Sequence, residues 1–174
     1  MTTGRIILLN GASSAGKSTL ARALQAQLPE PFWHWSIDHL LASGAVPRER
    51  FAWPDRREAF FEGFHRSIPA LAAAGNDLVV EHIVETAAWS RRLEALLAPF
   101  DVFRVGLRCP VPELERRERE RGDRRPGSAR EDDASTHALV AYDIEVHTIE
   151  PAEALAARVL QAWRARRARA GEAP

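Results

Sequence analysis

One short segment of this 174-residue chain combines residue types that hold phosphate groups. Gly11–Ser18 matches the pattern G-x-x-x-x-G-K-[ST] at every position. Glycines let backbone N–H groups turn inward around phosphate oxygens, and the start of a following helix adds positive potential. Lys17 can reach the outer phosphates, and the Ser18 hydroxyl can bind Mg²⁺. The segment predicts a site for nucleotide phosphates and Mg²⁺ formed by Gly11, Ala12, Ser13, Ser14, Ala15, Gly16, Lys17, Ser18 and Thr19.

The elements on either side of this segment suit the motif. Arg5–Asn10 is a short apolar run, typical of a buried strand in a parallel sheet. Lys17–Leu28 has apolar residues at helical spacing, and prolines follow it. A buried strand before the loop and a helix after it are the context in which the motif binds phosphate.

The rest of the chain alternates strands and helices, which predicts a parallel α/β sheet with helices on both faces. We expect one domain over residues 1–174, a frayed tail at 170–174, and loops at 43–54 and 122–133. Pro69 should kink or divide the helix that contains it. The other predicted strands are Phe32–Ile37, Leu78–Val84, Val102–Arg108 and Tyr142–Thr148, and the other long helices are Asp55–Ala74, Trp89–Leu97, Pro112–Arg121 and Pro151–Arg169.

Composition excludes several classes of protein. The 24 basic and 24 acidic residues give no net charge, which argues against nucleic acid or an anionic membrane as a partner. A hydrophobic content of 45% argues against disorder. Cys109 is the only cysteine, so a disulfide framework is excluded. Since we find neither a membrane-spanning apolar run nor a cleavable secretory pattern, we expect a cytoplasmic protein.

Asp38 follows the second predicted strand, at the edge of the sheet where ligands of open α/β folds bind. A carboxylate there could orient an acceptor hydroxyl and take its proton. The alternative is a helix N-cap with no chemical role. Position alone does not decide between these two interpretations.

Further candidates for substrate contact lie in the same part of the sequence. The aromatic residues Trp35, Trp53 and Phe60 could form pocket walls, Trp53 in a loop being the best placed, although core packing is the alternative for each. Glu81 and His82 end the third predicted strand. Glu81 could help to hold Mg²⁺ through water, whereas His82 could contact a ligand or serve as a hydrogen-bonding group at the strand end.

An arginine-rich segment spans residues 113–133. Most of its charges suit a solvated helix face with i,i+4 ion pairs. Arg121 and Arg124 flank a glycine at the end of the helix, where planar guanidinium groups could bind transferring phosphates. We therefore expect this segment to form an arginine-rich lid over the nucleotide.

Taken together, these motifs resemble the chloramphenicol phosphotransferase family of small P-loop kinases. The resemblance covers nearly the whole chain and implies ATP and Mg²⁺ as cofactors, served by Lys17 and Ser18. It also implies that Asp38 is the catalytic base and that Arg121 and Arg124 belong to the lid. It rests on Ile7–Ser18, Leu28–Pro31, Ile37-Asp38, Val105–Cys109, Arg121–Arg124, His137 and Tyr142–Val146.

The chain also departs from the family pattern. Glu81-His82 stands where two aspartates are usual, His147 replaces a commoner aspartate, and residues 42–57 match poorly. The expected activity is ATP-dependent phosphorylation of a hydroxyl on a small molecule, such as an antibiotic like chloramphenicol. A kinase for another metabolite, nucleoside or sugar nucleotide, and a non-enzymatic nucleotide switch, are the alternatives. The oligomeric state, including a homo-oligomer, stays open.

Overall fold

The computed structural model describes residues 2–46, 53–122 and 125–171, with side chains described from residue 55 onward in the second range. In chain order the elements are β1 (Ile6–Asn10), α1 (Lys17–Gln27), β2 (Phe32–Ser36), α2 (Ile37–Ala42), α3 (Trp53–Ala73), β3 (Asp77–His82), α4 (Ala87–Leu97), β4 (Val102–Arg108), α5 (Val111–Arg121), α6 (Ser128–Thr136), β5 (Ile144–His147) and α7 (Ala152–Arg169).

The five strands form one parallel sheet in the order β2-β3-β1-β4-β5. All five residues of the central strand β1 are buried. Asn10, its last residue, lies level with His82 at the end of β3 and with Gly106 in β4. The predicted five-stranded parallel sheet is therefore confirmed, and its central strand delivers the chain directly into the glycine-rich segment.

Helices cover both faces of the sheet, as the alternating pattern predicts. Successive side chains of a strand point to opposite faces. Ile7 and Leu9 accordingly pack in one apolar cluster with residues of α1 and α7. Ile6 and Leu8 pack in a second cluster with residues of α3 and α4. No helix within residues 2–46, 53–122 and 125–171 is long and apolar enough to cross a membrane.

The second strand ends one residue earlier than predicted, and α2 begins at Ile37. Ser36 is the N-cap, because its hydroxyl oxygen accepts the backbone N–H of His39 at 3.2 Å. The interpretation of Asp38 as the N-cap is therefore wrong. Asp38 lies in the first turn of α2, where a carboxylate is favoured by the helix dipole but is not needed as a cap.

Pro69 does not divide its helix, since α3 runs from Trp53 to Ala73 as one element. The proline removes one backbone hydrogen bond, but Ile68 and Ala72 on either side of it are fully buried against the sheet. Tertiary packing therefore maintains the helix. The backbone of Trp53 begins α3, so the prediction that this residue lies in a loop is also wrong.

The predicted loop at 122–133 contains a further helix, α6. Gly127 at its N-cap offers no side chain. The cap comes instead from Glu118 in α5, whose carboxylate accepts hydrogen bonds from the N–H of Gly127 (2.6 Å), the hydroxyl of Ser128 (2.7 Å) and the N–H of Ala129 (2.8 Å). This capping group lies a turn and a loop away along the chain, so the local sequence around the helix start lacks the usual signal.

Candidate active site

The Gly11–Gly16 loop joins β1 to α1 in a conformation that its small residues make possible. Ser14 and Gly16 have left-handed backbones, with φ of 60° and 91°. A Cβ atom on Gly11 would lie only 2.8 Å from the carbonyl oxygen of Leu107 in β4. The loop is thus compact and tightly packed against the sheet, as a phosphate-binding backbone requires.

The ammonium group of Lys17 lies over this loop. Its Nζ donates hydrogen bonds to the carbonyl oxygens of Gly11 and Ala12, at 2.8 and 2.7 Å. The buried hydroxyl oxygens of Ser13 and Ser14 have no hydrogen-bond partner within the described residues. Buried polar atoms usually have partners, so these hydroxyls, together with the start of α1, fit an anionic ligand such as a nucleotide phosphate.

Two oxygen-bearing side chains meet at the mouth of the loop. The Ser18 hydroxyl donates to Glu81 Oε2 at 2.9 Å, and the other carboxylate oxygen of Glu81 contacts Nε2 of His34. Hydroxyl and carboxylate oxygens are ligands that Mg²⁺ prefers. The residues therefore fit the predicted magnesium site, with His34 as a partner of Glu81 that the sequence did not indicate.

A cleft of about 1090 Å³ opens beyond the carboxyl ends of the strands. We call the side formed by the loop and the start of α1 the phosphate end, and the side formed by α2, α3 and the end of β3 the acceptor end. The predicted nucleotide residues in its lining are Ser13, Ser14, Gly16, Lys17, Ser18 and Thr19. Acceptor-end residues in the lining include Ile37, Asp38, Leu41, Arg57, Phe61, His82, Ile83 and Glu85.

Asp38 and Arg121 meet across the cleft. Arg121 Nη2 donates to Asp38 Oδ2 at 3.2 Å, and both side chains are 40% exposed. The contact joins the end of α5 to the first turn of α2. Two residues that the sequence singled out for separate roles are thus brought together, whereas Arg124 lies outside the described residues.

Arg117 of α5 also lines the cleft. Its Nη2 donates to the backbone oxygen of Thr148 at 2.8 Å, and its Nε donates to Glu113 at 2.7 Å. Its guanidinium lies beside the loop, since a Cβ atom on Gly16 would be 3.4 Å from Nη1. Sequence reasoning did not distinguish Arg117 from its neighbours, because the α5 arginines all occur in one charged run.

The end of β1 and the loop are connected to α6. Asn10 is fully buried, and its Oδ1 accepts hydrogen bonds from the N–H of Val84 (2.9 Å) and the hydroxyl of Thr136 (3.1 Å). The backbone N–H of Ser13 donates to Asp132 Oδ2 at 3.0 Å. These contacts fix the loop relative to α6, so the arginine-rich segment reaches the phosphate end through its second helix as well.

The aromatic residues predicted to form pocket walls do not line the cleft where the structure describes their side chains. The Trp35 indole donates to Ser67 Oγ at 2.9 Å and stacks on Phe64, and both Trp35 and Phe60 pack against the apolar cluster below α3. Neither is among the residues that line the cleft, which matches the core-packing alternative. The side chain of Trp53 lies outside the described residues. Phe61 lines the acceptor end instead.

His82 lines the cleft although it is only 3% exposed. Its Nε2 lies 2.8 Å from Nε2 of the fully buried His65 in α3. Burial holds the pKa of His82 well below its ordinary value and lowers the pKa of His65 to about 4. Both imidazoles are therefore neutral at pH 7, and the sequence did not indicate His65 as a partner.

Several solved structures that share this architecture are kinases. The structure of an APS kinase from Mycobacterium tuberculosis with AMPPNP and APS is 19% identical, with a TM-score of 0.69, over 94% of this chain and 99% of that chain. Shikimate kinase from Acinetobacter baumannii with shikimate is also 19% identical, with a TM-score of 0.60, over 91% and 92%. The fold is that of the P-loop kinases.

Sequence relatives narrow this class. The family model described as chloramphenicol phosphotransferase-like protein matches residues 4–164. A Mycobacterium tuberculosis H37Rv protein, whose name provisionally assigns O-phosphotransferase activity, is 31% identical over 95% of this chain and 84% of its own length. The chain belongs to the chloramphenicol phosphotransferase-like family and is a phosphotransferase of the kinase type.

Proposed function

We propose that the protein transfers the γ-phosphoryl group of ATP to a hydroxyl group of a small molecule. The observation that carries this proposal is the position of Lys17 and Asp38 on the two sides of one cleft. The loop presents an ammonium and helix-terminal N–H groups to phosphate, and α2 presents a carboxylate to an acceptor. A γ-phosphoryl group held at the loop would then face the acceptor hydroxyl that Asp38 orients.

At the phosphate end, positive groups stabilise the charge of the transferring phosphoryl group. Lys17 and Arg117 lie beside the loop, and Arg121, at the end of α5, lines the same cleft. Ser18 and Glu81 would hold Mg²⁺, which when bound neutralises phosphate charge. We propose that residues 113–133 form a lid, and that Arg121 and Arg124 within it turn toward the triphosphate.

At the acceptor end, Asp38 orients the hydroxyl and accepts its proton as the new O–P bond forms, while the bond from the γ-phosphorus to the β,γ-bridging oxygen breaks and ADP leaves. In this structure the carboxylate of Asp38 is instead paired with Arg121. When a triphosphate lies on the loop, Arg121 has an anionic partner there as well, so its contact with Asp38 weakens. Nucleotide binding therefore prepares the base.

The lining of the acceptor end favours an uncharged molecule such as chloramphenicol. Ile37, Leu41, Phe61 and Ile83 supply apolar surface. Arg57, which also lines this end, is held by both oxygens of Glu85 at 2.6 Å. Because this guanidinium is already neutralised, it does not offer a site for a strongly anionic acceptor. We propose an antibiotic as the substrate and resistance or detoxification as the role.

The test is an acceptor panel with purified protein, ATP and Mg²⁺. ADP release is measured after separate addition of chloramphenicol, a nucleoside, a sugar nucleotide and a hydroxy acid. The masses of the products are determined by mass spectrometry. We expect chloramphenicol or a related neutral alcohol to stimulate ADP release and to gain one phosphoryl group. Preferential phosphorylation of the nucleoside or hydroxy acid would show that the substrate is not an antibiotic such as chloramphenicol. ATP binding with no acceptor phosphorylated would contradict the enzymatic role.

A further inference from the structure

This inference rests on the proposed function and concerns the floor of the acceptor end. His82 ends β3 there, beside Phe61 and Ile83 in the cleft lining. A buried imidazole that also reaches a cleft is available to a ligand in a fixed orientation. What it offers to that ligand depends on which ring nitrogen carries the proton.

A chain of polar contacts determines which ring nitrogen of His82 carries the proton. Trp89 Nε1 and Arg92 Nη2 both donate to the carboxylate of Glu58, at 2.9 and 2.5 Å. Arg92 Nη1 then lies 3.5 Å from Nδ1 of His65. The chain continues from Nε2 of His65 to Nε2 of His82, at 2.8 Å. It therefore runs from the surface through α4 and α3 to the cleft.

The direction of these hydrogen bonds follows from the arginine. A guanidinium can only donate, so Nδ1 of His65 accepts and its proton lies on Nε2. That N–H donates to Nε2 of His82, which must therefore accept. The proton of a neutral His82 then lies on Nδ1, and none of the hydrogen bonds in the described parts of the chain involves that nitrogen.

The short contact also fixes the charge of His82. Two ring nitrogens 2.8 Å apart share one proton, and the direction of that hydrogen bond places the proton on Nε2 of His65. Because Nε2 of His82 accepts, the ring of His82 carries its single proton on Nδ1 and is a neutral donor.

We propose that His82 binds the acceptor by donating its Nδ1–H to an uncharged oxygen, such as a carbonyl or nitro oxygen, on the molecule that is phosphorylated. His65 is a positioning residue that holds this tautomer. The substrate class is thus a neutral alcohol with a second, hydrogen-bond-accepting oxygen. Binding that oxygen on the cleft floor directs the hydroxyl toward Asp38.

Two amide substitutions at position 82 test this proposal as a matched pair. The asparagine amide replaces Nδ1 of the imidazole, and the glutamine amide replaces Nε2. If Nδ1 meets the acceptor, as we propose, His82→Asn keeps this donor, whereas His82→Gln keeps only the contact with His65. We expect H82Q to raise the acceptor KM about tenfold, the effect of losing one hydrogen bond to a buried polar group. H82N should raise the acceptor KM by less than H82Q does, and the KM for ATP should not change in either.

The opposite order, with H82Q near wild type and H82N impaired, would show that only the contact with His65 matters and would overturn the proposal. Equal acceptor KM values in both variants and wild type would also overturn it. If no acceptor stimulates ADP release by the wild-type protein, the proposed function fails instead, which is a separate result. Thermal unfolding of both variants checks that they are folded.

The tautomer has a readout that needs no turnover. Long-range ¹H–¹⁵N spectra of the ligand-free protein at pH 7 should show the proton on Nδ1 of His82 and on Nε2 of His65. In His65→Leu, His82 should become a mixture of tautomers. A proton on Nε2 of His82 in the wild-type protein would contradict the assignment.

Discussion

The two ends of the cleft are built in different ways. The phosphate end is one continuous segment, Gly11–Thr19, which offers backbone N–H groups and the ammonium group of Lys17. The acceptor end is assembled from α2, α3 and the end of β3, which are distant in sequence. All nucleoside triphosphates have the same triphosphate group, so a loop of backbone N–H groups is sufficient to bind it. An acceptor is recognised by side chains, which explains how one fold serves kinases with different substrates.

The ends also differ in charge. Lys17 and Arg117 make the phosphate end positive, as the transferring group requires. The acceptor end has the Asp38 carboxylate, a neutralised Arg57–Glu85 pair and two neutral histidines. Substitutions at the phosphate end should therefore affect every acceptor alike, whereas those on the acceptor floor should depend on the acceptor.

Lys17→Ala should have the largest effect. Loss of the ammonium removes the principal side-chain charge at the phosphate end, and we expect kcat/KM to fall about 10³-fold for every acceptor. Arg130→Ala is the control, since Arg130 is an exposed cation paired with Glu115 outside the cleft. Steady-state ADP release measures both variants. An unchanged kcat/KM in K17A would refute the assignment of the loop.

Asp38→Asn tests the base at the acceptor end. Its amide keeps the shape of the side chain but cannot take the proton, so kcat should fall about 10²-fold or more while the KM for ATP is unchanged. Asp55→Asn, an exposed aspartate in the first turn of α3, is the matched control. Turnover of D38N close to that of the wild-type protein would show that Asp38 is not the base.

Arg121→Ala tests the contact that joins the two ends. The variant loses a phosphate-directed guanidinium, and we expect kcat to fall about tenfold. Arg119→Ala, at an exposed position two residues earlier on α5, should have no effect. Pre-steady-state measurement of phosphoryl transfer separates this step from product release. Equal rates in R121A and R119A would exclude Arg121 from the lid that we propose.

Glu118→Gln should have the smallest effect, on stability and not on chemistry. Hydrogen bonds from Ser128, Ala129 and Gly127 hold the pKa of Glu118 below its ordinary value. Its ionised form therefore stabilises the fold above the pKa of the unfolded chain, and this contribution is lost as the pH falls through the lower folded pKa. We expect E118Q to lower Tm at pH 7 and the difference from wild type to shrink in acid.

Glu120→Gln, which changes an exposed carboxylate of the same helix, is the control for this measurement. Melting curves at neutral and acid pH should show little change for E120Q. A Tm for E118Q equal to that of the wild-type protein at neutral pH would mean that the cap does not hold α6 in place.

Local signals in the sequence predicted the strand, the loop and the helix that form the phosphate end. The motif, the preceding buried strand and the following helix all lie within Arg5–Leu28, and Lys17 contacts Gly11 and Ala12 of the same segment. β4 matches its predicted bounds, Val102–Arg108, because its apolar run is short and sharply bounded. The order of the strands, however, depends on which helices cover which face, and this information is not local.

The acceptor end and the lid region were harder to predict for the same reason. Helix α6 is capped by Glu118 through space, so its own sequence reads as a loop. One partner of Glu81 is His34, which becomes its neighbour only because β2 pairs with β3. An aromatic run such as the one containing Trp35 suits a core or a pocket equally, and only packing decides.

The central claim is that a triphosphate on the loop ends next to Asp38. The most direct test is a crystal structure with a non-hydrolysable ATP analogue and Mg²⁺. We predict that Lys17 Nζ leaves the carbonyl oxygens of Gly11 and Ala12 for the phosphates and that the terminal phosphate faces Asp38. A nucleotide bound elsewhere, or a terminal phosphate far from Asp38 with Lys17 still on those carbonyl oxygens, would contradict the account.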